Sequence, residues 1–205
     1  MKLYYTPGAC SIGIHVVLEE IGKPYDREKV DLAGRKHFDP AYTAINPKSK
    51  IPTLVRDDGS ALTEYPAIAT WLAMTNPDKN LIPTDAEGMA RVLESMDYIV
   101  ATLHMHGFSR RVATHKYTLR PEDADTVKAA GREMVEKGFA LLDAKLAGKE
   151  WIAGNFSVAD SALFYVEFWA GRVGIPLPPN CAAHFARMKA RPSVQRVFAA
   201  EGLPA

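Results

Sequence analysis

Ile51-Pro52-Thr53-Leu54-Val55 and, beyond a turn, Leu62-Thr63-Glu64-Tyr65-Pro66-Ala67-Ile68 decide how this chain is read. The first stretch has the character of a strand, yet Pro52 brings no N–H to a sheet ladder and is tolerated only at a strand edge or start. The backbone beside Pro52 is therefore expected to serve another partner. The second stretch ends a short strand and opens a helix, with Pro66 suited to the first helical position. Free N–H groups at such a start make a seat for a carboxylate. Together the two stretches point to a site for an extended, peptide-like, anionic ligand, paired with main chain beside Pro52 and gripped at its charged ends by the helix start and Glu64. Taken alone, Glu64 reads equally well as a favourable charge at a helix start.

Outward from this segment, residues 2 to 75 alternate strand and helix signals. Lys2 to Tyr5 reads as a strand and Thr6-Pro7-Gly8-Ala9 as a loop. Ile14, Val17, Leu18 and Ile21 then form the stripe of an amphipathic helix that Gly22-Lys23-Pro24 stops. Tyr25 to Val30 is a second strand, Phe38 to Ile45 a short irregular helix, and Asp57-Asp58-Gly59 the turn of a hairpin. The order β-α-β-α-β-β-α describes a small α/β domain over residues 1–77. After a punctuated linker over 78–85, the strand signal vanishes, and 86–205 reads as an all-helical domain. Met89, Val92, Met96, Ile99 and Leu103 keep helical spacing, as do Val127, Met134, Gly138, Leu141 and Leu142. Ser157-Val158-Ala159-Asp160 has the form of a capping box opening an apolar helix.

Composition narrows the function classes. The 205 residues are 47% hydrophobic and 24% charged, ordinary for a globular protein, and the formal net charge is +1. That balance provides no general attraction to nucleic acid or acidic membranes, so neither is an expected partner. No apolar run approaches the roughly 20 residues that span a bilayer. Two cysteines far apart in sequence and no apolar leader at Met1 to Tyr5 fit a reducing cytoplasm.

Cys10 stands where the first loop becomes the first helix, a position that stabilises a thiolate, although a buried inert thiol is an equal reading. Gly13 occupies the place of a second redox cysteine, so any redox chemistry would need a thiol from the substrate. Ser11 is most simply a helix cap. Tyr5 is a weaker donor candidate, since Tyr4 and Tyr5 face opposite sides of a strand. His104 and His106, two apart on a helix, diverge by roughly 200° and cannot grip one metal ion. His106 extends the Ile99, Leu103 stripe, and His104 shares a face with Asp97 and Val100. No histidine, cysteine or carboxylate spacing suggests a metal site.

Four short motifs in this order resemble the glutathione transferase family, most closely its bacterial, cysteine-containing beta type. They are Lys2-Leu3-Tyr4-Tyr5 leading to Pro7-Gly8-Ala9-Cys10-Ser11; Asn46-Pro47-Lys48 leading to Ile51-Pro52-Thr53-Leu54; Leu62-Thr63-Glu64 with Ala67-Ile68; and Phe156 to Asp160. The resemblance covers nearly the whole chain. It implies a thioredoxin-like N-terminal domain, a helical C-terminal domain, a homodimer, and a cis peptide before Pro52. It further implies glutathione as co-substrate with no other cofactor. Ala9 and Cys10 would lie beside the glutathione sulfur, the Ile51–Pro52 backbone along its cysteinyl unit, Glu64 and the Tyr65 N–H at its γ-glutamyl end, and Arg35 near its glycyl carboxylate. Position 65 is usually small in the family. Tyr65 therefore either crowds the γ-glutamyl pocket or turns its ring away and leaves the N–H available. Beta-type members often carry a histidine-lysine pair on the fourth helix, and either His104 or His106 aligns with the histidine.

The expected activity is conjugation of glutathione to a soft, hydrophobic electrophile, with Cys10, Ser11, Tyr5, His106 and His104 as candidate catalytic residues. Two alternatives share the fold: a glutathione-dependent disulfide reductase using Cys10, and a non-enzymatic ligand-binding or interaction module.

Overall fold

The computed structural model describes residues 1–204, which form two compact units. The first contains Met1–Pro83 and the segment from Arg187 onward; the second is Thr84–Ala186.

In the first unit, β1 (Lys2–Tyr5), β2 (Asp26–Lys29), β3 (Thr53–Val55) and β4 (Ala61–Thr63) form a sheet of order β2-β1-β3-β4. β1 runs parallel to β2 and antiparallel to β3, which pairs antiparallel with β4. A parallel neighbour requires a crossover, and α1 (Ser11–Ile21) supplies it. Gly22, at a φ of 73°, ends α1 by donating its N–H to the Leu18 carbonyl, a conformation that glycine adopts without a Cβ penalty. Ile14, Val17, Leu18 and Ile21 are all buried, as their spacing predicts. Successive β1 side chains take opposite faces. The Tyr4 ring packs edge-on against Tyr42, and Tyr5 lies against His15. Pro40 opens the short α2 (Pro40–Thr43), and α3 (Tyr65–Met74) follows β4 directly. Pro52 falls just before β3, where no ladder N–H is missed.

The second unit begins with α4 (Ala86–Asp97), whose first turn is capped by Asp85 accepting from the Gly88 N–H. The helix continues without interruption through Tyr98–Phe108 in wider π turns and ends as α5 (Ser109–Val112). Val92, Met96, Ile99 and Leu103 are buried at the expected spacing. Beyond them the wider winding departs from expectation. The buried stripe passes to Gly107 and Phe108, and His106 lies exposed instead of extending it.

Next comes α6 (Ala124–Leu146), whose buried face also differs from the one expected. Gly131, Val135, Gly138, Phe139, Leu142 and Leu146 are inside, whereas Leu141 is 62% exposed and Met134 37%. Close approach to the π-wound segment explains the shift. A Cβ on Gly138 would stand 2.5 Å from Leu103 Cδ1, and one on Gly107 2.7 Å from Val135 Cγ2. The glycines thus define the contact faces, and bulkier Met134 and Leu141 turn outward.

The helix α7 (Val158–Arg172) opens with the capping box read from the sequence. Ser157 Oγ accepts from the Ala159 N–H, and Asp160 Oδ2 accepts from the Ser157 N–H at 2.8 Å. α8 (Pro179–Ala190) carries the chain to α9 (Pro192–Glu201). α9 belongs to the first unit, where Arg191 just ahead of it makes a two-pronged ion pair with Glu20 of α1 at 2.7 and 3.0 Å. The last helix therefore groups with the α/β part in the first compact unit. No helix among the described residues is long and apolar enough to cross a membrane.

Candidate functional site

Two loop ends of the first unit bring Cys10 and Ile51 together. One is the turn Thr6–Ala9 between β1 and α1, closed by the Ala9 N–H donating to the Thr6 carbonyl at 3.0 Å. The other is the loop before β3, in which the Ile51–Pro52 peptide is cis, as the family resemblance implies. They meet where the Cys10 thiol donates to the Ile51 carbonyl, with sulfur and oxygen 3.6 Å apart. Cys10 and the Ile51 backbone, expected to lie along one ligand, are neighbours.

The Cys10 thiol is buried, as the second of its two sequence readings has it. A helix start by itself favours the thiolate. Instead burial pushes the pKa up to about 12, against the smaller opposing pull of the Ser11 and Cys10 backbone N–H groups and the Lys50 charge. Removing the sulfur from water outweighs the dipole. Ser11 differs from its simplest reading. Cys10 takes the N-cap position, and Ser11, fully buried, accepts from the Thr6 N–H at 3.2 Å and donates to the Thr6 carbonyl at 3.3 Å. Its hydroxyl pins the β1–α1 loop instead of capping the helix.

Glu64 is the N-cap of α3 and adopts φ 72° and ψ 126°, a region costly for a residue with a side chain. Its carbonyl accepts the first helical bond, from the Ile68 N–H, and its carboxylate is exposed. Lys48 reaches it at 2.7 Å and also donates to Thr63 Oγ at 2.9 Å. Tyr65 follows as the first residue of α3 and is 4% exposed. Pro66 consequently occupies the second helical position, one later than read from the sequence. Arg35 is exposed at a φ of 58°, and its guanidinium lies 4.9 Å from the centre of the Phe38 ring.

In the second unit, His104 Nδ1 lies 3.2 Å from the Tyr165 hydroxyl, with its ring edge-on to Trp169. His106 is exposed, and its carbonyl accepts from Arg110 at 2.6 Å. Cys181 is buried; desolvation and the Glu167 and Asp143 charges hold its thiol protonated. Among the described residues, no group of three or more His, Cys, Asp or Glu could hold a metal ion.

Comparison with known proteins places this geometry. Residues 8–75 match the glutathione S-transferase N-terminal domain and residues 68–192 the C-terminal domain. The glutathione S-transferase GstA of Escherichia coli O157:H7 is 37% identical over 208 residues, covering 99% of this chain and all of the relative. The chain belongs to the glutathione S-transferase family. A solved bacterial beta-class glutathione S-transferase from Sphingomonas chungbukensis is 36% identical with a TM-score of 0.87, each chain covered in full. A glutathione transferase homologue from Sulfitobacter, solved with bound glutathione, superposes with a TM-score of 0.92 at 28% identity, covering 99% of this chain and 98% of the other. The thioredoxin-like N-terminal part followed by helices is the architecture of this family.

Within this glutathione S-transferase fold, two contributors escape a reading of the sequence for site residues. Lys48 stands there only as part of a motif, because its contact with Glu64 joins positions 16 residues apart. Asn46 is the second. Buried to 1% exposure, it donates from Nδ2 to the Lys50 carbonyl and Thr53 Oγ, both at 2.8 Å, and accepts from the Lys48 N–H at 3.0 Å. The Tyr42 hydroxyl donates to the same Lys50 carbonyl at 2.6 Å. Asn46 thereby holds both shoulders of the loop that presents Ile51. Asn46→Ala removes all three bonds and leaves the Lys48 N–H without its side-chain acceptor. It is expected to cost about 2 kcal/mol of stability, measurable by urea unfolding.

Proposed function

We propose that this protein is a cytoplasmic glutathione transferase that adds the sulfur of reduced glutathione to soft, hydrophobic electrophiles. The observation that carries the reading is the meeting of Cys10 with the Ile51 carbonyl, beside a helix whose cap residue is the carboxylate-bearing Glu64. Glutathione is extended, peptide-like and anionic. Its cysteinyl unit pairs with the Ile51–Pro52 backbone, and its γ-glutamyl ammonium meets Glu64 in exchange with Lys48. Its γ-glutamyl carboxylate takes the Tyr65 N–H, and its glycyl carboxylate takes Arg35. The burial of Tyr65 supports the outcome in which its side chain leaves that seat open. Ala9, Cys10, Ser11 and Tyr5 surround the sulfur. Residues 1–77 form the glutathione-binding domain. The helical part over 86–205 is assigned the electrophile, with His104 and His106 as its candidate polar groups. The working assembly is a homodimer.

The chemistry follows from the protonated state of Cys10. With burial pushing its pKa up to about 12, the thiol is protonated at pH 7. Cys10 is therefore a poor nucleophile, which argues against the disulfide-reductase alternative, and a competent S–H donor. Transferred from the Ile51 carbonyl to a bound glutathione thiolate, that hydrogen bond favours the ionised sulfur. It thereby raises the fraction of nucleophile at neutral pH.

Titration calorimetry of the purified chain with reduced glutathione tests the reading, with sub-millimolar binding expected. No heat at millimolar ligand would sink it. Cys10→Ala is expected to retain that binding within a few-fold while raising the pKa seen in the pH–rate profile of conjugation, because one thiolate donor is lost. An unshifted profile would remove Cys10 from the chemistry.

A further inference from the structure

A buried chain of polar groups outside the ligand-facing residues ends on the catalytic loop. Glu201 is the last residue of α9, with Gly202 behind it at a φ of 67°. Its carboxylate is wholly buried. Oε2 accepts from the Gly8 N–H at 2.8 Å, and Oε1 lies 2.7 Å from Nδ1 of His15, itself wholly buried in α1. The other ring nitrogen, Nε2, lies 3.4 Å from an Arg27 guanidinium nitrogen. Arginine donates and never accepts. Nε2 is then the acceptor of that contact, and the Nδ1–H points at Glu201. Arg27 thus sets the tautomer, the tautomer supplies one donor to Glu201, and Glu201 turns its second oxygen to the loop two residues ahead of Cys10.

We infer that Glu201 is a positioning residue for the Cys10 loop, held in its two-acceptor role by the Nδ1–H tautomer of His15 that Arg27 imposes. The Gly8 N–H anchors the turn from which the backbone N–H groups of Cys10 and Ser11 project towards sulfur. The effect of this anchor on turnover rests on the transferase reading above; the hydrogen-bond relay itself does not. A carboxylate is required because both of its partners donate. An amide at position 201 offers one acceptor and one donor, so with His15 held as the Nδ1–H form either Gly8 or His15 loses its partner.

That asymmetry yields a rescue test. In Glu201→Gln the turnover efficiency with glutathione and chlorodinitrobenzene is expected to fall about tenfold or more, as loosened positioning does. The Gly8 amide is expected to exchange with deuterium faster. Arg27→Met in the same chain frees Nε2 to hold the proton, so Nδ1 can accept from the introduced side-chain amide while the amide oxygen keeps Gly8. The double variant is expected to recover both readouts to within about threefold of Arg27→Met alone, a coupling of the kind a double-mutant cycle isolates. In the unaltered protein, ¹⁵N NMR of His15 is expected to show the proton on Nδ1, a measurement that survives any misfolding of the variants. A proton on Nε2, an unchanged Gly8 exchange rate in Glu201→Gln, or strictly additive effects in the double variant would each overturn the relay. Should the unaltered protein bind no glutathione, the transferase reading falls, whereas His15 NMR and Gly8 exchange still decide this one.

Discussion

Asp160→Ala is expected to lower the unfolding free energy by about 4 kcal/mol, a large part of the stability of an ordinary domain. One buried carboxylate serves four groups. It accepts from the Ile152 N–H at 2.9 Å, from the Ser157 N–H at 2.8 Å and from the Ser157 hydroxyl at 3.1 Å, and it faces His184 Nε2 at 3.2 Å. Truncation removes the reciprocal half of the α7 capping box, strands the buried Ile152 and Ser157 N–H groups and takes one of two carboxylates from the His184 cation. Urea unfolding measures the sum; a loss below about 1 kcal/mol would mean that the site relaxes around the missing group.

The same cluster carries a pH signature. His184 sits between Asp160 at Nε2 and Glu167 at Nδ1, the latter at 2.9 and 3.0 Å. Burial pushes its pKa down, but the Glu167 charge and the hydrogen bonds to Asp160 and Glu167 push it further up, to about 9. A raised pKa stabilises the folded state fully below the unfolded value of about 6.5, and that contribution disappears as the pH climbs through about 9. Stability is therefore expected to decline by roughly 3 kcal/mol across this window. His184→Gln should flatten the decline, which thermal melts in a pH series would reveal.

Glu64→Gly is expected to raise the apparent Kd for glutathione about 100-fold while making the protein more stable. The affinity loss follows from removing the charged partner of the ligand ammonium, since a charge-assisted hydrogen bond contributes about 1.5–3 kcal/mol. The stability gain has a different origin. Glu64 holds φ 72°, which glycine occupies without a Cβ clash, and the relieved strain of ~1–3 kcal/mol exceeds the entropy of a more flexible unfolded chain. The exposed pair with Lys48 that is given up contributes little. Calorimetry and melting temperature measured together are decisive: a variant that loses affinity and stability in parallel would mean that the backbone at Glu64 is not strained for function.

Local patterns carry much of this molecule into view. The strand and helix order of the first 75 residues, the hairpin at Asp58-Gly59, and the cap at Ser157 and Asp160 all follow from spacings within a few residues. What escapes depends on distance along the chain or on burial. The helix start leaves Cys10 with two equal readings, thiolate or buried thiol, and desolvation by packing from distant segments favours the second. The exposed His106 reflects π winding that shifts the helix phase, and the outward turn of Met134 and Leu141 reflects a glycine-lined crossing, neither of which a uniform 3.6-residue period anticipates. His15 and Glu201 lie 186 residues apart. Each looks unremarkable until folding sets them side by side.

The return of α9 to α1 also governs the order in which this protein can be made. The first unit consists of two stretches separated by about a hundred residues of the second. A ribosome releasing the chain from its N-terminus delivers the sheet and α1 early, with Glu20 lacking Arg191 and Gly8 lacking Glu201. Domains that are contiguous in sequence can fold one after another during synthesis; this first unit cannot be completed until the intervening helices have been synthesised. Its last contacts close a long loop, the slow kind of step in folding. The Cys10 loop therefore acquires its anchor only after nearly the whole polypeptide exists, so a nascent chain stalled before residue 187 would hold the sheet residues of the site without the helix that secures them.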